Sequence, residues 1–237
     1  MLETLQRIEQ ISAEAEGDRR FEVSVLRCQA LLRAMRGELD AARGLIASAL
    51  GLSEELGSKV AAAGVGLEAG RVELMAGRPE AAERALRPAF VTLENMGDRG
   101  HIVTLAPVLA DALLAQGKAE EAAPLLELSE RWAIEDDIDP QIARRRVQAK
   151  LLAGRGEFDA AEKLGREAVE LAGRTDFLCD HAFALEDLAE VLQLAGRGSE
   201  SRAPLEHALR LYEQKGNLVS GAAVRAKLGN PPIRGAQ

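Results

Sequence analysis

The sequence is short of aromatic residues, cysteine, histidine and long apolar runs. Its 237 residues include five Phe, one Tyr and one Trp, together with two Cys and three His. Two cysteines are too few for a disulfide framework, which favours a reducing compartment. No stretch approaches the roughly 18 apolar residues of a membrane span, and the polar first residues do not resemble a secretory signal. We therefore expect a cytoplasmic protein with no membrane association.

The chain also lacks an excess of positive charge. Lys and Arg number 30 against 38 Asp and Glu, which gives a net charge of −8. This balance argues against nucleic acid as a partner, because phosphate recognition needs basic patches. The abundant residues are Ala and Leu, with 42 and 35 copies. A core of these residues, with little aromatic or β-branched bulk, favours close-packed helices over sheets.

A repeat of 40 residues is the main signal. Five glycines are separated by 40, 40, 39 and 40 residues. A small residue stands seven positions before, five after and twelve after each glycine, and twelve of these fifteen places hold Ala. Gly70, Ser129 and Ser201 fill the other three. The glycines and alanines of the repeat are Ala30, Gly37, Ala42, Ala49, Gly77, Ala82, Ala89, Ala110, Gly117, Ala122, Ala149, Gly156, Ala161, Ala168, Ala189, Gly196 and Ala208.

Each repeat is predicted to form two helices joined by a tight turn. A glycine after a helix accepts the left-handed backbone that ends it, and a following polar residue caps the next helix, as in Gly57-Ser58. In the fourth repeat we expect Asp139 before Pro140 to act as that cap. Small residues let antiparallel helices cross closely, and neighbouring pairs must stack to bury their apolar faces. The prediction is an all-α, right-handed helical-repeat solenoid of about eleven helices.

The expected organisation is one solenoid over residues 1–229 followed by a flexible tail, 230–237. A helix over 2–16 lacks a preceding partner, and a helix over 218–228 lacks a following one. The incomplete opening repeat suggests a piece of a longer polypeptide, although the first helix could instead be a natural cap. The complete repeats cover roughly 18–57, 58–97, 98–138, 139–175 and 176–216.

This pattern resembles the tetratricopeptide repeat (TPR) family. A small residue in the first helix, a Gly in the turn and two Ala in the second helix are the family's recurring elements. The usual repeat has about 34 residues, whereas this one has 40. The long repeats, as in segments 188–197 and 211–220, resemble those of bacterial signal-transducing ATPases and of regulators linked to adenylate or guanylate cyclases. The resemblance implies a scaffold or sensor region that binds a protein or peptide partner.

The resemblance also implies that the first helix of each repeat lines a concave face, where polar residues are candidate ligand contacts. Arg144-Arg145-Arg146 with Lys150 forms a basic strip in the sequence, and three carboxylates form an acidic zone further along. A peptide could lie between these zones, or the charges could simply pair with each other. The candidate contacts are Arg27, Glu68, Arg71, Asp111, Arg146, Lys150, Glu186, Asp187 and Glu190.

No group of residues points to catalysis, a metal or a cofactor. His101, His181 and His207 lack the spacing of metal ligands, and Cys28 and Cys179 are expected to be small buried residues. The predicted function is therefore a non-enzymatic protein-interaction scaffold. Two alternatives stay open: self-association through the terminal helices, and a regulatory domain that senses a small molecule.

Overall fold

The computed structural model describes residues 19–134 and 136–229. These residues form α-helices without a β-strand, so the predicted all-α helical-repeat fold is confirmed. The predicted helix over 2–16 and the tail 230–237 lie outside the described residues. The described helices are α1 Arg19–Met35, α2 Leu39–Glu55, α3 Lys59–Met75, α4 Pro79–Met96, α5 Arg99–Leu114, α6 Ala119–Trp132, α7 Ile138–Gly154, α8 Phe158–Gly173, α9 Leu178–Leu194, α10 Arg202–Lys215 and α11 Leu218–Gly229.

The chain divides into two compact units between Gln116 and Gly117. The N-terminal unit holds α1–α5 and the C-terminal unit holds α6–α11. We call the odd-numbered helices first helices and the even-numbered ones second helices. Within each unit a second helix packs between its own first helix and the next one, and successive first helices also touch. No described helix is both long and apolar enough to cross a membrane.

Glycine ends the helices at the turns. Gly97, for example, adopts a φ of 67° and ends α4 with backbone bonds to two carbonyls of the last turn. A side chain is strained in this left-handed conformation, which explains why glycine recurs there. The glycines with positive φ are Gly37, Gly57, Gly77, Gly97, Gly117, Gly156, Gly196 and Gly216.

Polar caps follow several of these glycines. Ser58, Asp98 and Asn217 each accept a hydrogen bond from the backbone N–H three residues ahead, at 3.1–3.3 Å. The expected cap at Asp139 is wrong, because α7 already begins at Ile138. Proline is tolerated throughout the first turn of a helix, so the proline after Asp139 did not mark the cap position.

The small residues of the repeat lie where helices touch. The fourteen Ala and Ser at these positions are at most 6% exposed, and Gly70 is buried as well. A Cβ atom at Gly70 would lie 2.4 Å from Cγ of Leu86 on α4. Ala161 on α8 packs against Ala149 on α7 and Val191 on α9. Helix backbones therefore approach closely at these points, which leaves no room for a larger side chain.

Candidate functional site

The buried charged side chains of the described chain lie on first helices. Glu68 on α3, Asp111 on α5, Arg144 on α7 and Asp187 on α9 are each at most 9% exposed. Removing a charge from water costs several kcal/mol unless partners compensate. In each unit separately, we call the surface that carries Glu68 and Asp111, or Asp187, the first-helix face.

Ion pairs join equivalent points on neighbouring first helices. In three pairs the partners are 41 residues apart, which is one repeat of 40 plus one residue. This offset places a side chain of one first helix beside the next first helix of the same unit. The three pairs are Arg27–Glu68 at 3.2 Å, Arg146–Asp187 at 2.6 Å and Glu186–Lys227 at 2.9 Å. Each pair holds one repeat to the next.

The basic strip expected from three consecutive arginines does not form. Arg144 donates to Glu130 on α6 at 3.0 Å, and Arg145 bonds within its own helix. Consecutive helical residues point about 100° apart, so three in a row cannot share one face. The basic zone is reduced to Arg146 and Lys150, which are one helical turn apart.

Basic and acidic zones of the C-terminal unit neutralise each other. Asp187 lies 2.6 Å from Arg146 and 3.6 Å from Lys150, and Lys150 lies 4.0 Å from Glu190. The side chains of Arg146 and Asp187 are only 13% and 10% exposed, whereas Glu190 is 47% exposed. The pairing that the sequence left open is therefore present, and Glu190 forms the accessible edge of the cluster.

Glu186 belongs to an adjoining polar and aromatic group. The hydroxyl of fully buried Tyr212 donates to Glu186 at 2.5 Å, and Lys227 donates to the other carboxylate oxygen. Burial and the charge of Glu186 raise the pKa of Tyr212, so it remains a neutral donor. Phe183 contacts the Tyr212 ring edge-to-face and lies beneath the guanidinium of Arg146. Of the contacts in this group, only the ion pair of Glu186 with Lys227 could have been predicted from the repeat, because its partners are 41 residues apart.

The N-terminal unit has a different cluster on its first-helix face. Arg27 donates to Glu68 at 3.2 Å, and Arg71 approaches the other oxygen of Glu68 at 3.5 Å. A Cβ atom at Gly64 would lie 2.8 Å from Nη1 of Arg27, so this guanidinium rests against the backbone of α3. Cys28 beside the cluster is exposed, which contradicts its expected burial, whereas Cys179 in the C-terminal unit is buried.

An apolar cleft of about 550 Å³ opens on the other side of the N-terminal unit, between α2, α3 and α4. Its lining includes Ala62 and Gly66 of α3, with Lys59 and Arg84 as its cationic residues. The equivalent positions of α9, 119 residues later, hold the larger His181 and Leu185. The cleft therefore results from small side chains on α3. It lies away from the charged cluster of the same unit.

Two histidines that are distant in sequence meet in the fold. The ring centroids of His181 on α9 and His207 on α10 are 5.1 Å apart. Burial lowers the pKa of both, His207 lowers that of His181 further, and Arg210 acts likewise on His207. His101 instead bonds Asp98 at the start of α5. Among the described residues, no group of three or more His, Cys, Asp or Glu is placed to hold a metal.

Acidification from pH 7.5 to 5.5 is expected to destabilise the protein through this histidine pair. The unfolded pKa is near 6.5 and the folded values are lower, so the stabilisation is present above pH 6.5 and is lost as the pH falls. Melting temperature measured across this range should decline less steeply for His207→Gln than for the wild type. Identical slopes for His207→Gln and the wild type would contradict the pairing.

One segment of the C-terminal unit matches the sequence pattern of the TPR family. Residues 184–215, which include most of α9 and all of α10, match the tetratricopeptide repeat family. This match confirms the resemblance drawn from the repeated small residues. No curated protein matches the sequence.

Several solved structures share the fold at low sequence identity. BtubC (BKLC) from P. vanneervenii is 16% identical with a TM-score of 0.59, over 98% of this chain and 92% of that chain. A putative kinesin light chain from Podosopora anserina, with nearly identical TPR-like repeats, is 17% identical with a TM-score of 0.55, over 91% and 100%. NprR in complex with its cognate peptide NprX is 14% identical with a TM-score of 0.66. There the match covers 95% of this chain and 64% of NprR. The fold is therefore a TPR-like helical repeat.

Proposed function

We propose that the chain is a non-catalytic scaffold that binds a peptide or protein segment on its first-helix face. The observation that carries this proposal is the set of ion pairs between successive first helices, in each of which the carboxylate side chain is at most 14% exposed. Replacing a buried ion pair by apolar residues is often neutral or stabilising, so stability alone gives little reason for charges there. A polar surface that is held rigid before binding favours specific recognition.

The comparison with NprR supports the same function, because that structure holds a peptide on the same kind of fold. Of the candidate contacts, Arg71 and Glu190 are the more exposed and are assigned to the ligand. Arg146 and Asp187, which are the less exposed, join neighbouring first helices. The long repeats support a further part of the proposal, that the chain serves a larger bacterial signalling or regulatory protein in the cytoplasm.

Selection from a random library of short peptides tests this function. Binders isolated on the wild-type protein are expected to lose about fivefold in affinity for Glu190→Gln, equal to about 1 kcal/mol. Glu206→Gln is the matched control, because Glu206 on second helix α10 is 44% exposed and pairs with Arg202 at 2.8 Å. This control should bind as the wild type does. Selection that yields no binders, or binders equally affected by both variants, would contradict the proposal.

A further inference from the structure

The apolar cleft of the N-terminal unit has second helices as its walls and a first helix as its floor. Helices α2 and α4 both pack against α3. Ile46 and Leu50 of α2 line one wall, and Pro88 and Met96 of α4 line the other. Leu50 and Met96 are 39% and 47% exposed. Large apolar residues that cluster on a surface mark an interaction site more often than scattered ones do.

The C-terminal unit fills the corresponding place with its own side chains. Residues 119 positions apart correspond, as the turn glycines Gly77 and Gly196 do. On the floor, Ala62, Gly66 and Ala69 of α3 correspond to His181, Leu185 and Leu188 of α9, and on the wall Pro88 corresponds to His207.

These larger residues close the space in the C-terminal unit. The rings of His181 and His207 meet there at 5.1 Å, and Leu188 reaches across to α8, where a Cβ atom at Gly165 would lie 3.2 Å from its Cδ1. His181, Leu185 and Leu188 are spaced by four and three residues, which is the stripe of one helix face. The volume left open in the N-terminal unit is therefore that of leucine-sized side chains at helical spacing.

The cleft also carries positive charge without a carboxylate. Its charged lining residues are Lys59 and Arg84. Both are exposed, and neither forms an ion pair with another residue of the described chain. Glu73, which Arg84 influences, is already bound by Arg43 at 2.7 Å. In a chain of net charge −8, such a cleft favours a partner that carries negative charge.

The two cations stand apart along the cleft. A Cβ atom at Gly66 would meet Ala89, and one at Gly70 would meet Leu86, so α3 and α4 run antiparallel. Lys59 at the start of α3 and Arg84 near the start of α4 therefore lie towards opposite ends of the cleft. At 1.5 Å per residue they are about three helical turns apart.

We propose that this cleft binds an acidic amphipathic helix of a partner protein. Leucine-sized side chains on successive turns of that helix enter the open space above Ala62 and Gly66, as in other complexes that place a helix in an apolar groove. Acidic residues near both ends of the apolar stripe complement Lys59 and Arg84. The site is separate from the first-helix face and adds a second partner to the proposed function.

A designed helical peptide tests the cleft. The probe has about 15 residues, with Leu at every third or fourth position and Glu near both ends of that stripe. Its matched counterpart carries Lys in place of each Glu. The acidic peptide should shift the methyl NMR signals of Ala62 and Met96 saturably and bind about tenfold more tightly than the basic one. Equal affinities would overturn the acidic assignment, and failure of both peptides would overturn the site.

Two variants of the cleft make the test specific. Ala62→Leu fills the floor at the position where the C-terminal unit has His181, so we expect the fold to persist and the affinity for the acidic peptide to fall about tenfold. Arg84→Glu leaves the shape of the cleft unchanged, and it should weaken the acidic peptide and strengthen the basic one. Wild-type affinities in both variants would overturn the proposal.

Two substitutions outside the cleft are the matched controls. Ala41 is an exposed residue of α2 that does not line the cleft, and Lys163 is an exposed cation on α8 of the other unit. Ala41→Leu and Lys163→Glu should therefore bind both peptides as the wild type does. Losses equal to those of the cleft variants would show that the peptides do not bind in the cleft.

The other possible occupants give different results. If residues 1–18 filled the cleft, replacing Leu5 and Ile8 by aspartate would raise the affinity for the acidic peptide. If a second copy filled it, sedimentation would show a dimer that Ala62→Leu abolishes. Either result would overturn the assignment to a partner helix, and we expect neither change. Peptides selected on Ala62→Leu report on the first-helix face alone, so the proposed function and the cleft are tested separately.

Discussion

Replacing Asp187 by alanine is expected to destabilise the C-terminal unit by about 3 kcal/mol, as found when one partner of a buried ion pair is removed. Asp187 is 7% exposed and lies 2.6 Å from Arg146 and 3.6 Å from Lys150. Its loss leaves two cations facing each other in a largely buried place. Urea unfolding followed by circular dichroism measures the change.

The neighbouring carboxylate Glu190 provides the control for this experiment. It approaches the same Lys150, but at 4.0 Å and with 47% of its side chain exposed. Exposed ion pairs contribute about 0–1 kcal/mol, so Glu190→Ala should change the free energy of unfolding by no more than that. Equal losses for Asp187→Ala and Glu190→Ala would show that burial does not determine the strength of these pairs.

Replacing Ala161 by leucine should cost about 1–3 kcal/mol through overpacking. Ala161 is completely buried and packs against Ala149, Ala153 and Val191, where α8 meets its neighbours. Three additional carbon atoms must push these helices apart.

The adjacent residue Ala160 isolates the effect of position. It lies on the exposed side of the same helix turn, so Ala160→Leu should change the stability by less than about 0.5 kcal/mol. Thermal and urea unfolding of the two variants give the comparison. A stable Ala161→Leu protein would mean that the small side chains are not needed for close helix contact.

The repeat made most of the fold predictable. Its glycines marked the turns, because a Cβ atom is strained at their positive φ, and its small residues marked the places where helices touch, because a larger side chain does not fit there. The start of α7 was missed because Pro140 is compatible with several positions of the first turn. Helix boundaries of this kind depend on single hydrogen bonds, which the repeat period does not determine.

The side-chain partners were harder to predict than the helices. Sequence placed the basic and acidic residues on first helices, but it could not decide whether they face a ligand or each other. That choice depends on how far a side chain reaches to the next helix, as the 41-residue offset between Arg146 and Asp187 shows. The contact of His181 with His207 also depends on the crossing of α9 and α10.

The ion pairs between repeats connect fold and proposed function. They hold successive first helices in register, and in doing so they fix the orientation of arginine and carboxylate groups before any ligand arrives. In the C-terminal cluster the charges balance. In the N-terminal cluster both Arg27 and Arg71 approach the single carboxylate of Glu68. The two clusters therefore differ in the number of cations that each carboxylate must balance.

Hydrogen–deuterium exchange with and without a selected peptide tests most directly whether the first helices form the binding face. In the unit that the peptide contacts, bound peptide should slow exchange in the first helix, α3 or α9, more than in the following second helix, α4 or α10, because the ligand contacts and rigidifies the former. Protection confined to second helices, for example around the apolar cleft between α2 and α4, would contradict a binding site on the first-helix face.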